Sequence, residues 1–185
     1  MPRHPGGPED RKGGALPVPE EPVSLPYVDT KPLGAADFYF AINATFRFIR
    51  ERMGEETLRR YWTELGESYF APVSANWRAG GLPAVAAYWR DFYRAEPGAV
   101  VEVQEGNDEV VLDVKTCPAI THLRGKREIV PCFCQHCGFV GETMAAKAGL
   151  TVRVEGGNGA CRQVFSRADP SRPPQDLSLI REATC

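Results

Sequence analysis

The sequence predicts an α+β fold, with N-terminal helices packed on a four-stranded antiparallel sheet and the cysteines gathered in the C-terminal half. Three observations carry this. Apolar residues recur at helical spacing from Ala35 to Glu96. Beyond Pro97-Gly98, β-branched runs separated by Gly/Asn turns take over. A second hairpin turning on Gly156–Gly159 closes the domain, so that helices and two hairpins make an α+β arrangement.

Phe38, Ile42, Phe46 and Ile49 form a stripe that predicts a helix over 35–53, ended by Gly54. A second helix is expected over 55–77, with Leu58, Tyr61, Trp62, Leu65 and Tyr69 on one face and a bend or stop at Pro72. After Gly80-Gly81, Pro83 suits the first turn of a third helix through Val85, Tyr88, Trp89 and Phe92. Val100–Gln104 and Val110–Val114 read as a hairpin joined across Glu105–Asp108. Cys117-Pro118 opens a short helix, and 131–148 reads as a longer one closed by Gly149. A second hairpin, 150–155 and 160–166, turns on Gly156–Gly159.

A chain of 185 residues suits one domain and a tail. Residues 1–33 are rich in Pro and Gly and are expected to form a flexible arm. The α+β domain then covers 34–168, and a Pro-rich break leads into a tail over 169–185. Hydrophobic residues make up 43% and charged residues 25%, ordinary for a globular protein. A net charge of −2 gives no pull toward nucleic acid, and the basic cluster Arg124, Lys126 and Arg127 is short. No apolar run approaches the ~20 residues needed to span a bilayer, and the first 26 residues lack a signal-peptide core. A cytoplasmic location is expected. The expected partner is a small-molecule substrate or ligand, with no nucleic acid and no membrane; a homo-oligomer is compatible with the sequence.

In a reducing compartment, six cysteines point to metal binding or chemistry rather than disulfides. Cys134 and Cys137 are three apart and share a helix face, with His136 between them. Cys117 sits at another helix mouth, where free N–H groups favour a thiolate. Cys161 is carried by the last strand of the sheet. The bland alternative is that several of these thiols are small buried hydrophobes, and Cys185 an incidental terminal thiol.

The stretch from Cys137 to Glu155, followed by Gly157–Cys161 and Phe165, resembles the 4-vinyl-reductase-type domain. Cys117-Pro118, Phe133-Cys134 and the late Cys161 in a glycine turn also resemble the L-2-amino-thiazoline-4-carboxylic acid hydrolase family. The resemblance covers about residues 110–166 and implies a small-molecule hydrolase. Two positions depart from the hydrolase pattern: Cys137 stands where an Asp is usual, and Asn158 occupies the turn that usually carries Gly-Asp.

Two functions follow as expectations. The first is a cysteine-dependent enzyme that opens a C–N or C–S bond in a thiazoline or cyclic amidine. Its nucleophile is Cys117 or Cys134, its acid–base partner is His136 or His122, and Glu142 or Asp113 orients that histidine. The second is a binding or sensor domain without turnover, in which Cys117, Cys134, Cys137 and Cys161 hold zinc, or an iron–sulfur cluster, with His122 or His136 as substitutes. In that case Tyr39, Phe46, Trp62, Trp77, Trp89 and Phe92 would line a pocket, or else simply fill the core.

Overall fold

A computed structural model describes residues 37–184; the N-terminal arm and Cys185 lie outside the described residues. Among the described residues the fold is α+β, with five α-helices and a five-stranded mixed sheet. Helix α1 spans Phe38–Met53 and α2 Glu55–Glu64, divided by Gly54 at φ 88°. The buried face of α1 is Tyr39, Asn43, Phe46 and Ile49, one residue round from the expected apolar stripe, and Phe38 is left exposed. Polar partners account for the rotation. The Tyr39 hydroxyl donates to Glu96, and Asn43 both donates to the Glu128 carbonyl at 2.8 Å and accepts from the Val130 N–H at 3.0 Å.

Past α2 the helix widens into a π turn, Leu65–Tyr69, in which the Phe70 N–H reaches back to the Leu65 carbonyl. The wider turn places Gly66 against helix α5 (Gln135–Lys147), so closely that a Cβ there would lie 2.7 Å from Thr143 Cβ. The second predicted helix therefore divides before Ala71. Helix α3 runs Ala71–Ala95, with Pro72 in its first turn, and leaves helical geometry at Gly81 (φ 62°, ψ −152°), where the expected break falls, so that Pro83 stands in the first turn after it.

Strands β1 (Val100–Glu105) and β2 (Glu109–Thr116) form the first hairpin, and β3 (Leu150–Gly157) and β4 (Ala160–Arg167) the second. Only Asn158 and Gly159, both at positive φ, connect β3 to β4, a two-residue turn that needs such residues. These four strands are antiparallel, as expected. The sheet is extended, however, by β5 (Ile180–Arg181), which pairs parallel with β3 at Gly156 and Gly157, giving the order β1-β2-β4-β3-β5. The expected four-stranded sheet is thus a five-stranded mixed one. The fifth strand comes from the segment after the Pro-rich break, because Ile180 is apolar enough to be buried at the sheet edge.

The core has two parts. Trp77, Leu82 and Val85 of α3 pack with Met144 and the sheet residues Val110, Leu112, Val152 and Phe165. Phe46, Leu58 and Trp62 of α1 and α2 pack with Ile120 and Leu123 of α4 (Pro118–Leu123) and with Phe133. Cys117 and Cys134 touch both parts. The site lies at that seam.

Asn43 is the clasp that fixes the loop entering the Cys132–Cys134 segment. Asn43→Leu leaves the buried Val130 N–H without a partner, while Arg47 still donates to the Glu128 carbonyl, and is expected to lower unfolding stability by about 1–3 kcal/mol. Urea denaturation checks this, and a loss under about 0.5 kcal/mol contradicts it.

Candidate functional site

Pro131 opens a single 3-10 turn, Pro131–Cys134, which leads into α5, so the expected helix over 131–148 is divided at Cys134. The tighter turn separates the three thiols. Cys132 is buried in the α1–α2 core, whereas Cys134 and Cys137 face a cavity of about 40 Å³. Cys117 reaches the same cavity from the N-cap of α4, and Cys161 from β4. Phe133, His136, Gln163, Gly157 and Tyr93 complete most of the wall.

The turn between β3 and β4 closes one side. The Asn158 N–H donates to Cys134 Sγ at 3.3 Å, and its side-chain oxygen accepts from Arg124 at 2.8 Å and from the Thr184 N–H at 3.1 Å. Gly157 lies under Arg181 of β5: at φ 132°, a Cβ there would come within 2.6 Å of the Arg181 carbonyl. The C-terminal segment thus holds the turn against the thiols.

His136 has both ring nitrogens engaged. Nδ1 lies 2.5 Å from the Phe133 carbonyl, which can only accept, so Nδ1 carries the proton. Nε2 is then the acceptor, and it lies 3.6 Å from Cys137 Sγ. Phe133, Phe46 and Trp62 surround the ring at centroid distances of 5.0, 5.4 and 6.5 Å. This apolar box lowers the imidazole pKa from 6.5 because burial disfavours the cation; the Phe133 bond offsets part of that.

Burial acts on the thiols in the opposite direction. It pushes Cys137 up to about 11, Cys161 and Cys134 up to about 12, and Cys117 up to about 11. At Cys134 the Asn158 N–H offsets part of the rise, and at Cys117 the Ile120 and Ala119 amides do so without a full hydrogen bond. Ionising any one of the four would raise the others, so all six pairings among them interact. Each keeps some surface open to the cavity although protein surrounds it. At neutral pH they are thiols.

The other candidates lie elsewhere. His122 stacks on Tyr39, and its Nε2 lies 3.0 Å from the Pro97 carbonyl, away from the cavity wall. Glu142 accepts from Thr151 at 2.9 Å and from the Val152 N–H at 2.7 Å, tying α5 to β3. Asp113 pairs with Lys115 on β2. A backbone carbonyl, that of Phe133, orients His136 in place of either carboxylate. Tyr39, Phe46, Trp62, Trp77, Trp89 and Phe92 do not line the thiol cavity. Among the described residues no group of three or more His, Cys, Asp or Glu side chains is placed to hold a metal ion. Cys117, Cys134, Cys137 and Cys161 face one cavity without closing on one point.

Tyr93 and Asn158 went unnoticed in the sequence as site residues. Asn158 carried a signal, since an Asn in a glycine turn ahead of a cysteine predicts a positive-φ residue whose amide points inward. Tyr93 carried none, being one aromatic among several on α3.

No family model, curated protein or solved structure matches this chain. No described helix is long and apolar enough to cross a membrane.

The raised thiol pKa values have a consequence for stability. A group whose pKa is higher folded than unfolded stabilises fully below its unfolded value, here near 9.0, and loses that contribution as pH rises through the folded value. Stability in urea is therefore expected to fall between pH 9 and pH 12. The fall should be shallower in Cys161→Ala; an unchanged slope in that variant contradicts the burial of Cys161.

Proposed function

We propose that the chain is a cysteine-dependent enzyme acting on a small molecule at a C–N or C–S bond, with Cys137 as nucleophile and His136 as base. One observation carries this: His136 Nε2, unprotonated and fixed through Nδ1, faces Cys137 Sγ at 3.6 Å inside a cavity lined by protein. A nucleophile, its base and the group that orients the base are the parts covalent catalysis requires. The nucleophile moves from Cys117 or Cys134 to Cys137, the thiol that His136 reaches.

The protonation states fit a concerted step. Because Cys137 is held as a thiol, its proton leaves only as Sγ attacks, and His136 Nε2 is placed to accept it. The Sγ–C bond forms as the C–N or C–S bond breaks, and His136 passes the proton to the departing nitrogen or sulfur. Water then cleaves the Sγ–C bond and restores the thiol. A space of about 40 Å³ exceeds the ~10–15 Å³ that holds one water but falls far below the ~300 Å³ of a whole-ligand pocket, so only the reacting end of a substrate enters. This suits the compact C=N carbon of a thiazoline or cyclic amidine, the substrate class the sequence resemblance implies.

A second function is favoured by the convergence of four thiols on one cavity, with N–H groups of Asn158 and Gln163 directed at Cys134 and Cys161. Such donors support thiolates held by a cation. On this account Cys117, Cys134, Cys137 and Cys161 would move inward to take zinc or an iron–sulfur cluster, and the domain would bind without turnover.

Incubation with 2-aminothiazolines and cyclic amidines, followed by mass spectrometry, separates the two. Ring-opened product and a transient adduct on Cys137 are expected, with roughly a hundredfold loss in His136→Ala. Product formation should fall as pH drops through the lowered imidazole pKa, below 6.5, and stay level across neutrality. One zinc or several irons per chain, with Cys137 unmodified, would overturn the enzyme in favour of the binding domain.

A further inference from the structure

Resting on that enzyme, we infer that Tyr93 is a second catalytic residue, whose phenol donates a hydrogen bond to the heteroatom that gains charge when Cys137 attacks. Tyr93 lines the thiol cavity and also an outer groove of about 380 Å³ shared with Arg90, Arg94, Ala99, Val101 and Val103. It is the side chain common to both walls.

The groove's arginines are already matched, Arg90 to Glu105 at 3.0 Å and Arg94 to Asp91 at 2.8 Å. Tyr93 is half-buried, and among the described residues its hydroxyl makes no hydrogen bond. A hydroxyl not engaged by the protein is left free to donate to a bound molecule. The ring itself is held firmly, stacked on Trp89 at 5.5 Å and edge-on to Phe92 at 5.1 Å.

The phenol also remains a donor. Burial, with Cys137, Cys117 and Cys161 as neighbours, raises its pKa well above 10.0, so it keeps its proton throughout the working range. Fixed donors of this kind stabilise developing charge because they need no reorganisation as the reaction proceeds. The substrate class narrows accordingly, to an electrophilic carbon bearing a hydrogen-bond-accepting nitrogen, oxygen or sulfur.

Two small electrophiles test this on the intact protein. With acrylonitrile, Cys137 Sγ bonds to the terminal carbon, the electron pair moves toward the nitrile nitrogen, and the thiol proton ends on the adjacent carbon. With iodomethane, the S–C bond forms as iodide leaves and His136 Nε2 takes the thiol proton; the charge goes to iodide, a weak hydrogen-bond acceptor. Site-resolved mass spectrometry then gives the rate at Cys137 for each reagent. Tyr93→Phe is expected to slow acrylonitrile about tenfold and leave iodomethane unchanged. Equal changes with both reagents, or no change with either, would overturn the role of Tyr93 while the Cys137 nucleophile stands. A wild-type Cys137 inert to both reagents would overturn the enzyme itself.

Discussion

The hydrogen bond from His136 Nδ1–H to the Phe133 carbonyl is the interaction on which the site depends. It fixes the tautomer and turns a bare Nε2 toward Cys137, and its carbonyl belongs to the 3-10 turn Pro131–Cys134 that leads into α5. Asn43, binding the Glu128 carbonyl and the Val130 N–H, holds the loop that delivers this turn. The chemistry of the ring thus follows from a polar residue on α1, far away in sequence.

Placing this pair at the seam of two apolar cores sets its electrostatics. The same desolvation that lowers His136 raises Cys137, so the resting pair is neutral. An ion pair formed in advance would be costly there, whereas proton transfer coupled to bond formation never leaves both charges unmatched. Tyr93, Gln163 and the Asn158 amide, beside His136, supply the few polar groups in a wall otherwise made of sulfur, glycine and hydrocarbon.

Much of the architecture was legible in the sequence, and the misses share a cause. Helix and strand periodicities located α1 and the two hairpins, because those elements bury one face against a core, and Cys117-Pro118 marked the start of α4. Phe38 was misassigned because hydropathy counts Phe as interior, while the real constraint was the partners of Tyr39 and Asn43. The π turn at Leu65–Tyr69 depends on the close approach of Gly66 to Thr143, which no local pattern encodes, whereas the kink at Gly81 follows from the Gly80-Gly81 pair. Strand β5 is two residues long and pairs with a neighbour some twenty residues back. At the site, the spacing of Cys134 and Cys137 placed them together correctly. Carboxylates were expected to orient the histidine, and a backbone carbonyl does so, which a list of side chains cannot reveal.

The state of the His136 ring tests the account most directly. Nitrogen-15 NMR of the imidazole should show a neutral ring protonated at Nδ1 at pH 7, becoming cationic only below pH 6.5. A ring protonated at Nε2, or an imidazolium persisting at neutral pH, would contradict a base directed at Cys137.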